Sequence, residues 1–294
     1  MQDLGGRVAV VTGAASGIGR GLADRFAAEG MRIVIADVEA DALASAEAEL
    51  AADGADVLAV QTDVADRDAV IALADAASER FGSVHVLCNN AGVSGGGGAL
   101  WETTDRDWDW VLGVNLMGVV HGIQAFVPAM VAHGEPGHIV NTSSVLGLSS
   151  GGGSIYSVTK HAVTRLSEGL LHDLRAAGSP IGVSALCPGM IATQIVSAGR
   201  NRPEHLRNEA EPTEEAQRMW AAMQERFLAD GMPPAEVADM VVDAIHTDRF
   251  YVLTHPDMIK PLVEARMAAI LGDDDPPVAP MVQMMGGRPA GGAS

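Results

Sequence analysis

The run Arg7-Val8-Ala9-Val10-Val11-Thr12-Gly13-Ala14-Ala15-Ser16-Gly17-Ile18-Gly19 decides the fold. Arg7 to Val11 reads as a strand, the glycine-rich segment as a tight turn, and the periodic stretch to Ala28 as a helix stopped by Gly30. A strand, a glycine turn and a helix start in this order form an anion site. Backbone N–H groups and the positive helix end face a diphosphate, and glycines let the chain approach it. The glycines are spaced G-x-x-x-G-x-G rather than G-x-G-x-x-G, so their weight comes from their place between strand and helix. Gly13, Ser16, Gly17, Ile18 and Gly19 are thereby assigned to a dinucleotide.

Working outward, the next strand, Arg32 to Ala36, ends in Asp37, eighteen residues after Gly19. There an acidic side chain can accept hydrogen bonds from the adenosine ribose hydroxyls. The same carboxylate repels a 2′-phosphate, and neither Ser16 nor Val38 supplies a compensating cation. NAD is therefore expected over NADP. The plainer reading is that Asp37 caps the following helix. Strand and helix then alternate: helix Asp41 to Ala52, strand Asp56 to Gln61 with Asp63-Val64 at its end, helix Asp66 to Phe81, strand Val84 to Cys88. Such alternation predicts a doubly wound α/β domain with a parallel sheet, right-handed crossovers and ligands at the carboxyl ends of the strands.

Asn89-Asn90-Ala91-Gly92 lies at one of those ends, where small residues let the backbone pass close to a nucleotide, and Gly95 to Gly98 is expected to be flexible and to form part of a substrate rim. A long helix should start at Thr104, with Trp101, Trp108 and Trp110 near its beginning and Asn115 in its apolar middle. A buried amide there needs a partner, and a satisfied core amide is the ordinary explanation. His138 to Thr142 reads as a strand ending in Ser143-Ser144, followed by a glycine and serine loop from Gly147 to Gly153, a helix to about Ala176 and strand Ile181 to Cys187.

The helix after the serine loop opens Ser154-Ile155-Tyr156-Ser157-Val158-Thr159-Lys160. Four residues apart, Tyr156 and Lys160 share one face, so a phenol and an ammonium can enter the same cleft. A phenol titrating near 10 is a poor base at neutral pH. A cation about 5 Å away at an effective dielectric of about 20 favours the phenolate by roughly 3 kcal/mol, or about two pKa units. Spacing alone also fits an ordinary amphipathic helix, so the other motifs carry the weight.

From Met190 to Met232 the alternation stops. Arg200, Arg202, Glu204, Glu209 and Glu211 make a polar stretch, then Met219, Trp220, Met223 and Phe227 mark an apolar helix face. This insertion (190–232) reads as a lid and substrate wall, and the apolar stripe fits either that or plain packing. Ala235 to His246, Phe250 to Thr254 and Pro256 to Leu271 complete the domain (1–271) as helix, strand and helix. Residues 272–294, without periodicity, read as a disordered tail or an arm laid on a neighbouring subunit.

Bulk properties narrow the function. The chain has 294 residues, 48% of them hydrophobic, enough for one large core. A net charge of −19 argues against nucleic acid and gives no support for anionic membranes. Cys88 and Cys187 read as small core residues of a reduced cytoplasmic protein. No spacing of the nine histidines suggests a metal site, so none is expected. No signal peptide is visible and no uninterrupted apolar run reaches 18 residues, so a soluble, cytosolic protein is expected.

Taken together, TGAASGIG (12–19), DV (63–64), NNAG (89–92), VN (114–115), the serine strand end, YSVTK (156–160) and PGMIAT (188–193) resemble the short-chain dehydrogenase/reductase family over roughly Leu4 to Leu271. The resemblance implies a single Rossmann-type domain with a seven-stranded parallel sheet, assembled as a homotetramer, or a homodimer, through the helices holding Asn115 and Tyr156. It implies Tyr156 as acid/base, Lys160 on the nicotinamide ribose and lowering the phenol pKa, Ser144 on the substrate oxygen, and Asn115 anchoring a water between Lys160 and solvent. Asp63, Val64, Asn90, Ala91, Gly92, Pro188, Gly189, Ile191 and Thr193 would complete the cofactor site.

The family's serine usually precedes the tyrosine by thirteen residues, which here is Ser143. The strand-end pattern S-x-x-G points instead to Ser144, and strand alternation favours it. The implied reaction is hydride transfer between NAD and a small-molecule alcohol or ketone. Segments 113–122, 199–203 and 250–256 are similar to bacterial members that oxidise benzylic alcohols of lignin-derived aryl ethers, which suggests a hydrophobic or aromatic secondary alcohol. A hydroxysteroid or terpenoid alcohol is the alternative within the family. A non-catalytic NAD-binding Rossmann protein is the alternative outside it, a sugar-nucleotide epimerase would need a larger C-terminal domain, and the S-x-x-K at 157–160 lacks the motifs of a penicillin-binding hydrolase.

Overall fold

The computed structural model describes residues 1–95, 99–151, 154–210 and 212–277. Expectations for residues 96–98 of the glycine rim, 152–153 of the serine loop, Glu211 and 278–294 of the tail fall outside the described residues.

Seven parallel strands form one sheet in the order β3-β2-β1-β4-β5-β6-β7. They are β1 (Val8–Thr12), β2 (Arg32–Asp37), β3 (Val57–Gln61), β4 (Val86–Asn89), β5 (Gly137–Thr142), β6 (Ile181–Cys187) and β7 (Tyr251–Leu253). Every residue of β1, β4 and β5 is buried; β1 and β4 are apolar but for their last residue, as a parallel strand sheltered on both faces should be, while β5 also buries His138, Asn141 and Thr142. On one face α1 (Gly17–Ala28), α2 (Ala40–Ala52) and α8 (Pro234–Thr247) pack through Leu22, Phe26, Leu43, Val241 and Ile245. On the other, α3 (Arg67–Phe81), α5 (Gly118–His133) and α6 (Ile155–Ala176) pack through Leu73, Phe126, Met130 and Leu174.

The chain leaves β1 toward one edge of the sheet and β4 toward the other. Their adjacent carboxyl ends therefore frame a crevice, the topological switch point where doubly wound sheets bind ligands.

The long helix departs from expectation in its middle. It runs as α4 (Asp105–Leu112), a π-helical turn over Gly113–Met117, and α5. Thr104 is the N-cap, its hydroxyl accepting from the Asp107 N–H. Asp105–His133 is long and apolar enough, by length and composition, to cross a membrane, with a mean hydropathy of 1.5 over its richest window. Half of that window is buried inside this protein. Trp101 lies outside the helix, exposed on a short 3-10 turn over Leu100–Glu102.

The insertion holds 3-10 turns at Ile195–Asn201 and Glu204–Leu206, then α7 (Glu214–Asp230). The last helix, α9 (Pro256–Gly272), is followed by Asp273 to Pro277, and the Pro277 carbonyl accepts from the Ser150 hydroxyl at 2.6 Å.

Candidate active site

At the carboxyl end of β1 the chain turns through Gly13 at φ +66° and Gly17 at φ +56°, a region that favours glycine. A Cβ on Gly13 would stand 2.8 Å from the Ala91 Cα, so the turn packs directly on the loop after β4. Thr12 ties the same two segments: its hydroxyl accepts from Asn90 N at 2.9 Å and Ala91 N at 3.1 Å, while Asn90 Nδ2 donates to the Thr12 carbonyl at 3.0 Å. Thr142 extends the chain of contacts by donating to Asn90 Oδ1 at 3.2 Å. One polar seam thus joins the ends of β1, β4 and β5.

The residues read from the sequence as a dinucleotide site line one cleft above these strand ends, from Gly13, Ser16, Gly17 and Ile18 through Asp37, Asp63 and Val64 to Asn90, Ala91, Gly92, Pro188, Gly189, Ile191 and Thr193. Gly19 is the exception. It lies beneath the turn, where a Cβ would run into the Gly13 carbonyl, so it lets helix and turn close and does not face the cleft.

Ser16 caps α1 through its backbone alone, with no side-chain cap, so the first N–H groups of that helix are left for an anion. Asp37 holds the turn in shape by accepting from Ala15 N at 3.0 Å and Glu39 N at 3.1 Å. It does not cap α2, whose N-cap is Glu39. Uncapped helix start, glycine turn and a carboxylate at the end of β2 together suit a nicotinamide dinucleotide. An anion would meet the N–H donors of the helix start, and a ribose would meet the carboxylate.

Helix α6 starts at the far wall, capped by the Ser154 hydroxyl, which accepts from Ser157 N. It brings Tyr156 and Lys160 into the cleft, with the Lys160 Nζ 5.5 Å from the centre of the Tyr156 ring. Lys160 is 2% exposed and donates to the Thr142 carbonyl at 2.8 Å. Burial lowers its pKa to about 8.

The phenol departs from expectation. Burial pushes the Tyr156 pKa above its ordinary value, and the opposing pull comes from a hydrogen bond with Ser144 rather than from the lysine charge. A desolvated ammonium loses much of its advantage to its own burial, so spacing alone overstated its effect on the ring.

The two serines divide cleanly. Ser143 is turned into the protein, donating to the Lys160 carbonyl at 2.8 Å and sharing a hydrogen with Thr164 at 2.7 Å. Ser144 faces Tyr156 and also accepts from Leu146 N at 3.1 Å. The backbone stays extended just past the end of β5, with Ser143 N still donating to the Leu186 carbonyl, and successive side chains of an extended chain leave on opposite faces.

Asn115, fully buried in the π turn, lies behind the cleft wall. Its carboxamide clamps Val93, accepting from N at 2.8 Å and donating to O at 2.9 Å, and donates to Thr159 Oγ1 at 3.2 Å. Both amide hydrogens are spent on protein, and the clamp on Val93 sets the neighbouring Gly92 beside Lys160.

The insertion closes the cleft. No residue of α7 is fully buried; Trp220, Met223 and Phe227 line the cleft, so the apolar stripe is a wall and not ordinary core packing. Gln224 donates to the Thr193 carbonyl at 2.9 Å, and Ala192 N donates to Met232 O at 3.0 Å, holding the wall to the loop after β6. Arg202 anchors the segment on α4, at 2.7 Å from Asp107 and 5.2 Å from the Trp110 ring centre.

Two features escaped the sequence reading. Arg200 and Asn201 both donate to Glu39 beyond β2, at 2.6 and 2.7 Å. His255 shares a hydrogen with Thr254 Oγ1 at 2.7 Å, and its ring fills the space a Cβ would need on Gly189. Neither pairing has a local signal, because the partners stand 161, 162 and 66 residues apart or, for Thr254 and His255, act on a distant loop.

The profile of the short chain dehydrogenase family matches residues 7–204. A 1-deoxy-11-beta-hydroxypentalenate dehydrogenase from Streptomyces avermitilis is 41% identical over 251 residues, covering 85% of this chain and 84% of the relative. A C alpha-dehydrogenase from Sphingobium is 35% identical over 282 residues, covering 96% and 89%. The crystal structure of a short chain dehydrogenase/reductase from Burkholderia phymatum in complex with NAD superposes with a TM-score of 0.90 at 47% identity, covering 94% of this chain and 98% of that one. Sheet order, cleft and matched profile agree, and this chain belongs to the short-chain dehydrogenase family of oxidoreductases.

Proposed function

We propose that this protein is an NAD-dependent dehydrogenase of a hydrophobic or aromatic secondary alcohol, or the reductase of the corresponding ketone. The reading rests above all on one arrangement: the Tyr156 phenol, the Ser144 hydroxyl and the Lys160 ammonium share a cleft with the glycine turn and Asp37. When bound, the nicotinamide dinucleotide supplies the hydride acceptor or donor.

The chain's own residues manage the rest. Tyr156 takes the alcohol proton at the phenol oxygen as the carbonyl forms, and returns it in the opposite direction. Ser144 holds the substrate oxygen by a hydrogen bond that strengthens as charge grows there. Lys160 holds the nicotinamide ribose, the Ser144 hydrogen bond opposes the rise that burial gives the phenol pKa, and Asn115 keeps the floor in register. Trp220, Met223 and Phe227 exclude water and select an apolar substrate. The relative named a C alpha-dehydrogenase supports an aromatic alcohol. The relative named for a hydroxypentalenate, which is the more identical of the two, supports a non-aromatic polycyclic alcohol as the second reading.

We place the enzyme in the cytoplasm, where its two buried free cysteines stay reduced, as a homotetramer built on α4, α5 and α6. The test is a panel of benzylic and alicyclic secondary alcohols with NAD+ and with NADP+, read at the reduced-nicotinamide absorbance. NADH formation is expected with at least one benzylic alcohol. No turnover with any alcohol, and none of the matching ketones with NADH, would sink the oxidoreductase reading for this site.

A further inference from the structure

The adenosine end of the proposed cleft holds more charge than a single aspartate. Asp37 accepts from the Glu39 backbone N–H, so the two carboxylates belong to one turn after β2. The Glu39 carboxylate is in turn engaged by Arg200 at 2.6 Å and Asn201 at 2.7 Å, both from the insertion. Arg200 is not a loose surface cation. Its guanidinium also donates to the Ser197 carbonyl at 3.1 Å, Ser197 is tied to Gln224 of α7 at 3.0 Å, and the neighbouring Arg202 is pinned on Asp107. The backbone on both sides is anchored, so Arg200 stays at this rim whether or not Glu39 carries charge.

A ribose 2′-phosphate brings close to two negative charges and is ordinarily met by arginine, whose planar fork suits phosphate. The fold delivers such an arginine to the ribose end and occupies it with Glu39. We propose that Glu39 is a specificity-determining residue for the cofactor: by neutralising Arg200 it denies a 2′-phosphate the cation brought to the β2 end, and so enforces NAD. This rests on the dinucleotide reading of the cleft and goes beyond it, because it assigns discrimination to a pair formed between the lid and the turn as well as to Asp37. It also links substrate wall and cofactor choice through three consecutive residues, Arg200, Asn201 and Arg202.

Glu39→Gln keeps a hydrogen-bond acceptor for Arg200 and Asn201 but removes the charge. Calorimetric titrations of the full chain with NAD+, NADP+ and 2′,5′-ADP, across wild type, Glu39→Gln, Arg200→Ala and the double variant, test the assignment without any substrate. Glu39→Gln should bind NADP+ and 2′,5′-ADP about tenfold tighter, the worth of roughly one unshielded charge contact, with NAD+ changed by no more than about twofold. The gain should vanish in the double variant and shrink with added salt. No gain in Glu39→Gln, with NAD+ binding intact, would overturn the proposal alone. A gain that survives Arg200→Ala would also overturn it, since it would come from lost repulsion by Glu39 and not from a released arginine. Failure of the wild-type chain to bind NAD+ at all would instead remove the dinucleotide reading, and this inference with it.

Discussion

Tyr156 sits under two opposed influences: burial, which raises its pKa, and Ser144, which lowers it. The chain has only two tyrosines, and the other, Tyr251, is pushed up to about 12 by burial and by the Glu168 carboxylate that accepts its hydroxyl. In the cofactor-free Tyr251→Phe variant, a single tyrosinate titration, read by ultraviolet absorbance, should therefore fall above the ordinary value near 10. Adding Ser144→Ala should move it higher still, and a midpoint below 10 in either variant would refute the balance drawn here. Lys160 gives a stability signature. Its folded pKa of about 8 lies below the unfolded value near 10.4, so between those limits the unfolded chain binds more protons and stability must rise with pH. The burial cost is present in full below pH 8 and is relieved toward pH 10.5, by up to about 3 kcal/mol. The stability difference between wild type and Lys160→Met, from urea unfolding, should shift in favour of wild type over that window, and a flat difference would contradict it. The four-residue spacing made the Tyr/Lys pair legible in sequence. The phenol's direction of shift was not, because it depends on how much water the folded cleft excludes.

At the scale of elements, strands and helices were legible wherever one pattern dominated. β6 follows its apolar run, and α1 stops at Gly30, which adopts φ +74°. The π turn at Gly113–Met117 was hidden, because an extra residue per turn leaves no mark in a run that is apolar on most sides. The insertion was legible from the break in alternation, whereas its anchors were not, since Asp107 and Arg202 are 95 residues apart. Burial alone would raise the Asp107 carboxyl, yet hydrogen bonds from Thr104, Arg202 and Asn208 hold it below the usual range. A depressed carboxyl contributes stability above its unfolded pKa, near 4, and loses it as pH falls through the folded value. Asp107→Asn should thus cost about 2–4 kcal/mol in urea unfolding at neutral pH, and markedly less below pH 4. Because the pair fixes the lid and not the glycine turn, the variant should raise the KM for the alcohol while leaving the Kd for NAD+ within about twofold. Equal effects on both would show that the anchor serves the whole cleft.

Across the whole molecule, strand order puts the cleft-lining motifs at one end of the sheet, which is why segments scattered from Gly13 to Thr193 meet there. Alternating strand and helix patterns reveal that convergence, because a right-handed crossover sends each strand's carboxyl end the same way. Charge tells a different story at long range than at contact. The chain carries a net charge of −19, while the group that would receive an anion is a helix start, whose N–H donors act over a few ångströms. At low salt the Debye length is about 30 Å, so an approaching dinucleotide meets the field of the whole protein before it meets the turn. At about 0.15 M it falls to about 8 Å, and the local donors dominate once contact is made. The association rate constant for NADH, measured by stopped-flow fluorescence, should therefore rise as ionic strength goes from about 10 to 150 mM, the reverse of an electrostatically steered pair. NADPH carries more negative charge and should show the steeper rise. A rate that falls with salt would mean that the cleft's own potential is positive far enough out to outweigh the acidic surface around it.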